Sequence, residues 1–326
     1  MLKNKKVLFF SPRYFQYEEY VKRGLEKLGA YVEWYDERPN NNFLTKAVVR
    51  LNRNLIYNRI ETYYSNIFSR LIFEDTEFNY ILFLNPETVD SSFIRKMKKR
   101  WSNATFILYM WDSFQNKSRS LDLLPYFDSV FSFDRRDALK YNLKHLPLFY
   151  IDDYLSDSGI YKYDLFFSGT AHSDRYKLIK KIESNVGPNV NIQSYFFLSS
   201  RLLYFINFFL NGNSRMVPYK EVNFKSLTHA ENALLMSRSR AILDINHPLQ
   251  FGLTMRTFES IGVNRKLITT NSDIINYDFY NDNNILIIDR DNPKIDNCFF
   301  EKPFIDYSTK IRLKYSLNGW IENLLF

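Results

Sequence analysis

Residues 240–271 read RAILDINHPLQFGLTMRTFESIGVNRKLITTN. They parse as a short apolar strand (Ala241 to Ile245), a polar loop carrying Asn246, His247 and Gln250, and a helix from about Met255 to Ile261. Gly262 reads as the stop of that helix, and Lys266 to Thr269 as a second strand. Strand, loop, helix, strand is one turn of a parallel α/β sheet, because parallel neighbours need a crossover connection. In such sheets ligands bind outside the carboxyl ends of the strands, where a helix N-terminus presents unpaired N–H groups to an anion. Arg256 and Glu259 stand three apart and so share a helix face. That pair suits a ligand carrying both phosphate and sugar hydroxyls; it also reads as a plain surface ion pair, worth about a few tenths of a kcal/mol.

The run RTFESIGVNRKLITTN, residues 256–271, resembles the donor-binding segment of bacterial group 1 glycosyltransferases of the two-Rossmann-domain GT-B type. Those of lipopolysaccharide and capsule clusters, with their spore-protein relatives, are the most similar. The resemblance implies an α/β chain with two Rossmann-like domains facing across a cleft and a C-terminal helix crossing back to the N-terminal domain. It implies an acceptor domain over 1–155, a donor-nucleotide domain over 156–307 and the crossing helix over 308–326. It assigns Arg256 to the donor phosphates and Glu259 to donor hydroxyls, with Thr257 in the same donor-binding set. One departure stands out. Many retaining members carry two glutamates with seven residues between them, and the position eight before Glu259 is Phe251. Inverting and retaining outcomes therefore both stay open.

The second half of the chain opens with YDLFFSGT, residues 163–170: a strand, Gly169, then Ser173-Asp174 starting a helix. This strand-glycine-helix start resembles that of the family's donor domain. Gly169 lets backbone approach a ligand closely, and Thr170 and Arg175 are placed to reach phosphate. Asn246-His247-Pro248 lies at the mouth of the 241–245 strand, where His247 either bonds a donor phosphate or sugar or serves a local turn.

The first half begins with the apolar strand Val7 to Phe10, a helix from Glu18 to Leu28 stopped by Gly29, and a strand from Tyr31 to Tyr35. Pro12-Arg13-Tyr14 stands where a dinucleotide-binding glycine turn would be, so that fingerprint is absent. Residues 46–73 have apolar side chains at helical spacing and predict one long amphipathic helix or two joined ones, with Arg50, Arg53, Arg59 and Arg70 on a basic face. Tyr80 to Leu84, Thr105 to Met110 and Ser129 to Phe133 are further strands, with a helix at about 91–101 whose basic last turn complements its dipole. Asp112 follows the 105–110 strand and reads as a general base, as an acceptor-hydroxyl anchor or as a cap; Glu18 is a second candidate base. Asp134 caps the next helix, and the aspartate-rich stretch 152–161 reads as the interdomain linker.

Residues 195–210, YFFLSSRLLYFINFFL, form the most apolar window. It is too short and, with Arg201 inside it, too broken for a membrane span; a buried helix and an interfacial element reaching a lipid-linked acceptor are the two readings. Lys225 to Ser239 predicts a helix on which His229 and Glu231 read as surface residues, Ile285 to Ile288 a strand, and about 308–325 one helical tail.

The chain's 326 residues, 45% hydrophobic and 18% aromatic, suffice for two packed domains and argue against disorder. A net charge of +8, from 44 Lys and Arg against 36 Asp and Glu, suits a phosphorylated substrate or an anionic surface. Basic and aromatic residues are dispersed rather than gathered on one face, so nucleic acid is not an expected partner. The single Cys298 excludes an internal disulfide and points to a reducing cytoplasm, and the four-residue apolar run near Met1 is far short of a leader's core. The four histidines, His145, His172, His229 and His247, are not at metal spacing. The resulting expectation is metal-independent, cofactor-free transfer of a sugar from a nucleotide-sugar donor to a glycan or lipid-linked acceptor, by a cytoplasmic enzyme with peripheral association to the inner membrane surface as an option. A polyol-phosphate transferase of cell-wall polymer synthesis and a non-enzymatic nucleotide- or polyanion-binding protein are the alternatives.

Overall fold

The computed structural model describes residues 2–41, 53–155, 159–171, 174–211 and 217–326. Residues 46–52 of the helix expected over 46–73, Arg50 among them, lie outside these, as do His172 and Ser173. Among the described residues the strands form two six-stranded sheets, parallel throughout, as the α/β pattern predicts. The chain divides into two compact units: residues 1–147 with Trp320–Phe326, and Leu148–Gly319.

In the first unit β1 (Lys6–Ser11), β2 (Tyr31–Asp36), β3 (Tyr80–Leu84), β4 (Thr105–Met110), β5 (Ser129–Ser132) and β6 (Lys144–His145) stand in the order β2-β1-β3-β4-β5-β6. Strands covered on both faces read as unbroken apolar runs, as β1 and β4 do. Helix α1 (Tyr17–Lys27) ends before Gly29, whose φ of 97° closes the turn at no steric cost. Helix α2 covers Tyr57–Phe73, and α3 (Ser91–Arg100) is capped by Asp90, which accepts from the Phe93 N–H. Asp134 caps α4 (Arg135–Lys140) by accepting from the Arg136 and Asp137 N–H groups. Phe10, Phe83, Phe93, Ile94, Met97 and Trp101 share the core. Trp320, from the returning C-terminal residues, packs edge-on against Tyr109 with ring centroids 4.8 Å apart.

In the second unit β7 (Tyr163–Thr170), β8 (Ile192–Phe197), β9 (Val222–Asn223), β10 (Ser239–Asp244), β11 (Lys266–Thr269) and β12 (Ile285–Ile287) are ordered β12-β11-β10-β7-β8-β9. Counted from β7 this is the 3-2-1-4-5-6 order of dinucleotide-binding Rossmann sheets, and its direction reverses between β7 and β10. Helices α5 (Arg175–Val186), α6 (Arg201–Asn211), α7 (His229–Ser237), α8 (Met255–Gly262) and α9 (Cys298–Glu301) follow their strands; α10 (Thr309–Lys314) and α11 (Leu317–Leu325) end the chain.

Three local expectations are corrected. The window 195–210 is not one helix: Tyr195–Phe197 finish β8 and pair with Ser168–Thr170, and the helix starts only at Arg201. A continuous apolar run carries no period that separates strand from helix. The helix expected over 225–239 is shorter, because Thr228 and Glu231 form a reciprocal capping box that starts α7 at His229. The single tail helix is two, broken where Tyr150 bonds Tyr315 O through its N–H (2.9 Å) and accepts from the Leu317 N–H (2.8 Å). Helix α8 stops at Gly262 as expected, with the glycine as its last helical residue. A Cβ there would lie 2.9 Å from Tyr150 Cδ2 and from Tyr154 Cβ, so glycine serves close packing, and the chain turns at Asn264 with φ 52°.

Candidate functional site

The strand order reverses between β7 and β10, the position at which open α/β sheets take ligands at their carboxyl ends, and three arginines, Arg175, Arg256 and Arg290, converge on that edge. Arg175 is the first residue of α5. Its Nε donates to Ile245 O at 3.0 Å and its Nη1 to Thr170 O and Oγ1 at 3.3 and 3.0 Å, so the side chain laces β7 to β10 across the reversal. Gly169 makes room for the Phe167 ring: an added Cβ would stand 2.9 Å from Phe167 Cζ, and only at ordinary contact, 3.4 Å, from Arg175 Nη1.

Arg256, near the start of α8, donates through Nη1 to the Glu259 carboxylate and through Nη2 to Ser168 O at 3.4 Å. The Glu259 side chain is only 4% exposed, so the pair is interior and not a plain surface ion pair. Close to the Glu259 carboxylate, the Tyr154 hydroxyl accepts from Asn232 Nδ2 at 2.9 Å and lies 3.1 Å from His229 Nδ1. Asn232 Oδ1 accepts from Ser168 Oγ at 2.7 Å. The contacts thus run from Tyr154 through Asn232 and Ser168 to Arg256 and on to Glu259, which fixes the arginine against the end of β7. Burial, with the charge of the nearby Glu259 carboxylate, pushes the Tyr154 phenol well above its ordinary pKa.

Asp244, the last residue of β10, is buried and accepts at Oδ2 from the hydroxyls of Thr254 and Thr257, both at 2.9 Å. Burial pushes its carboxyl pKa up against those two hydrogen bonds. Thr257 consequently faces inward and is fully buried. Asn246 is buried too: its Nδ2 donates to Gln250 O at 2.7 Å and its Oδ1 accepts from Thr270 Oγ1 at 2.6 Å. His247 Nδ1 accepts from the Leu249 N–H at 3.2 Å, a local turn. Arg290, just past β12, holds both oxygens of Asp174, the cap residue of α5, at 2.7 and 2.9 Å and reaches Asn246 O at 2.6 Å.

Gly169, Thr170, Arg175, Asn246, His247, Arg256, Thr257 and Glu259 therefore gather at one edge of the second sheet, with Thr257 and Asn246 turned to framework contacts. Asp112 and Glu18 belong to the first unit. Asp112 Oδ1 accepts from the Ser113 N–H and from Asn116 Nδ2, both at 2.9 Å. Glu18 is buried, accepts from the Tyr14 N–H at 3.0 Å, and has its carboxyl pKa raised by burial. The Tyr14 and Trp111 rings, 6.0 Å apart, place the two loops side by side.

Sequence reasoning missed Ser168, Asn232, Tyr154, Asp244 and Arg290. Asp244 and Arg290 stood at strand ends, where the carboxyl-edge rule would have found them. It also missed a cluster in the first unit, where the buried Glu37 accepts from the Glu87 and Thr88 N–H groups, both at 2.9 Å, and Arg38 Nη2 bonds Glu87 at 2.6 Å. Among the described residues no group of three or more His, Cys, Asp or Glu is placed to hold a metal ion.

No protein-family model matches the chain, and no curated protein does. Solved structures do. The S. aureus MnaA-UDP co-structure is similar over 99% of this chain and 95% of its own, with 10% identity and a TM-score of 0.58. A glycosyltransferase from Rickettsia africae ESF-5 is similar over 99% of each chain, with 12% identity and a TM-score of 0.55. The chain shares their two-domain, Rossmann-like fold. At such identities the likeness is one of fold, and chemistry has to be argued from the residues themselves.

Proposed function

We propose that the chain is a glycosyltransferase of GT-B type that binds a nucleotide-sugar donor at the carboxyl edge of its second sheet. The observation that carries this reading is the placement of Arg175 and Arg256 at the reversal point between β7 and β10, the second of them held by the buried Glu259. Glycosyl transfer breaks the bond between the anomeric carbon and the diphosphate, and negative charge grows on the departing oxygen. Guanidinium groups and the N-termini of α5 and α8 are suited to stabilise that charge, because they are oriented before it develops. In this reading they do so without a metal, and no cofactor takes part. Glu259, almost wholly buried, acts in this reading through Arg256, which it orients, in place of the direct contact with sugar hydroxyls that the resemblance implies. The UDP named with S. aureus MnaA, a protein of the same fold, supports a nucleoside diphosphate as the ligand class.

The acceptor is a glycan or lipid-linked sugar of bacterial surface polysaccharide synthesis, a pathway suggested by the resemblance of residues 256–271. Asp112 and Glu18 are the proposed bases for the acceptor hydroxyl. Glu18 has the environment of a base, since burial raises its pKa toward the operating range. Release of nucleoside diphosphate from a panel of nucleotide sugars tests the reading. One donor should be turned over by the wild type, and Arg175→Ala and the Arg256→Ala/Glu259→Gln double variant should lose that turnover while remaining folded. Turnover of no donor, or equal turnover by the variants, would sink it.

A further inference from the structure

Helix α6 is apolar on two opposite faces. Tyr204 is buried in the core of the second unit and Phe208 packs against it. Leu202, Phe205, Ile206 and Phe209, at 64, 48, 37 and 81% exposure, form a second stripe on the outside, at spacings i, i+3, i+4 and i+7. Tyr219, 45% exposed, extends it by stacking on Phe205 with ring centroids 6.0 Å apart. A surface helix ordinarily puts charge on its outer face, so this stripe needs a covering.

Three features select the covering. From Ser184 to Lys220 the sequence contains no acidic residue, and Arg201 and Lys220, both exposed, flank the stripe. Glu221, which follows Lys220 in the chain, is occupied by Tyr176 at 3.2 Å and Lys180 at 3.4 Å. The five side chains together expose roughly 500 Å², at the upper end of what soluble monomers show but well short of the roughly 800 Å² per partner of a stable protein pair. Eleven residues of helix are about 16 Å long, about half a bilayer's hydrocarbon thickness. No helix among the described residues is long and apolar enough to cross a membrane.

We propose that the outer face of α6, with Tyr219, docks in the plane of an anionic phospholipid surface. Leu202, Phe205, Ile206 and Phe209 enter the boundary between headgroups and acyl chains, and Arg201 and Lys220 meet lipid phosphates. This docking does not depend on the sugar-transfer reading, because none of these residues touches the arginine-lined edge.

Sedimentation of the full chain with phosphatidylcholine vesicles, with and without phosphatidylglycerol, tests it. The wild type should pellet with the anionic vesicles at least about tenfold more than with the neutral ones. Leu202→Ser/Phe209→Ser should lower that partitioning at least about tenfold while keeping its melting temperature and any nucleotide response. Phe209→Trp gives a second readout, since its emission should move to shorter wavelength when anionic vesicles are added. Absence of pelleting with either vesicle, equal pelleting of wild type and double variant, or an unshifted Phe209→Trp emission overturns the proposal. So does a lipid-free wild-type dimer that the double substitution dissociates, which would assign the stripe to a second copy of the chain.

Discussion

Arg256 donates to the carboxylate of Glu259 one turn further along the same helix, and Glu259 is almost wholly out of solvent. A buried carboxylate that loses its cation costs far more than the pair itself contributes. Arg256→Ala is therefore expected to lower stability by about 3 kcal/mol. The double variant Arg256→Ala/Glu259→Gln should regain a good part of that loss, since no uncompensated charge stays behind. Denaturant melts of both single variants and the double one check this; additive losses would show that the two side chains are not coupled.

Gly262 and Asn264 give opposite expectations within three residues. In an open helix Gly→Ala stabilises by about 1 kcal/mol. At Gly262 the new methyl would press on Tyr150 and Tyr154, so Gly262→Ala should instead destabilise by about 1–2 kcal/mol. Asn264 holds a left-handed conformation that glycine adopts freely, so Asn264→Gly should raise stability by about 0.5 kcal/mol. Thermal melts that put the two changes in the reverse order would refute the packing role given to Gly262.

Asp244 predicts a pH dependence with a defined sign. Burial raises its folded-state pKa above the ordinary 3.8, so between 3.8 and that raised value the folded chain binds more protons than the unfolded one. Its contribution is then full below the unfolded value and fades as pH rises through the folded one. Asp244→Asn, which still accepts from Thr254 and Thr257, should flatten this fall relative to wild type in pH-resolved melts. Asp244→Ala strands two hydroxyls and should cost about 1–3 kcal/mol at neutral pH. A wild type whose stability rises with pH more steeply than that of Asp244→Asn would contradict the assignment.

Much of the fold was legible because each element carried its own punctuation. Tyr80–Leu84 and Thr105–Met110 are strands with the expected bounds, and Gly29 and Asp134 end and begin helices as their residue types predict. The Arg256–Glu259 contact was legible for the same reason, being local to one helix. Ser168, Asn232 and Tyr154 were not, since their bonds join residues 64 and 78 positions apart and exist only once β7, α7 and the turn at Tyr154 have packed. Tyr154 lay in a stretch that its aspartates made look like a linker, yet its ring is buried. The window 195–210 failed through ambiguity, since an unbroken apolar run fits strand and helix alike, and at Gly262 the stop was legible but its close packing on Tyr150 and Tyr154 was not.

The central claim is that the arginine-lined edge of the second sheet binds a nucleoside diphosphate. A thermal-shift panel of UDP, GDP, CMP, dTDP and ADP on the wild type, on Arg175→Ala and on Arg256→Ala/Glu259→Gln tests it most directly, since a ligand that binds only the folded state raises its melting temperature by mass action. The account predicts that one diphosphate stabilises the wild type and neither variant. Failure of every nucleotide to shift the wild type at millimolar concentration, or equal shifts in all three proteins, would contradict it.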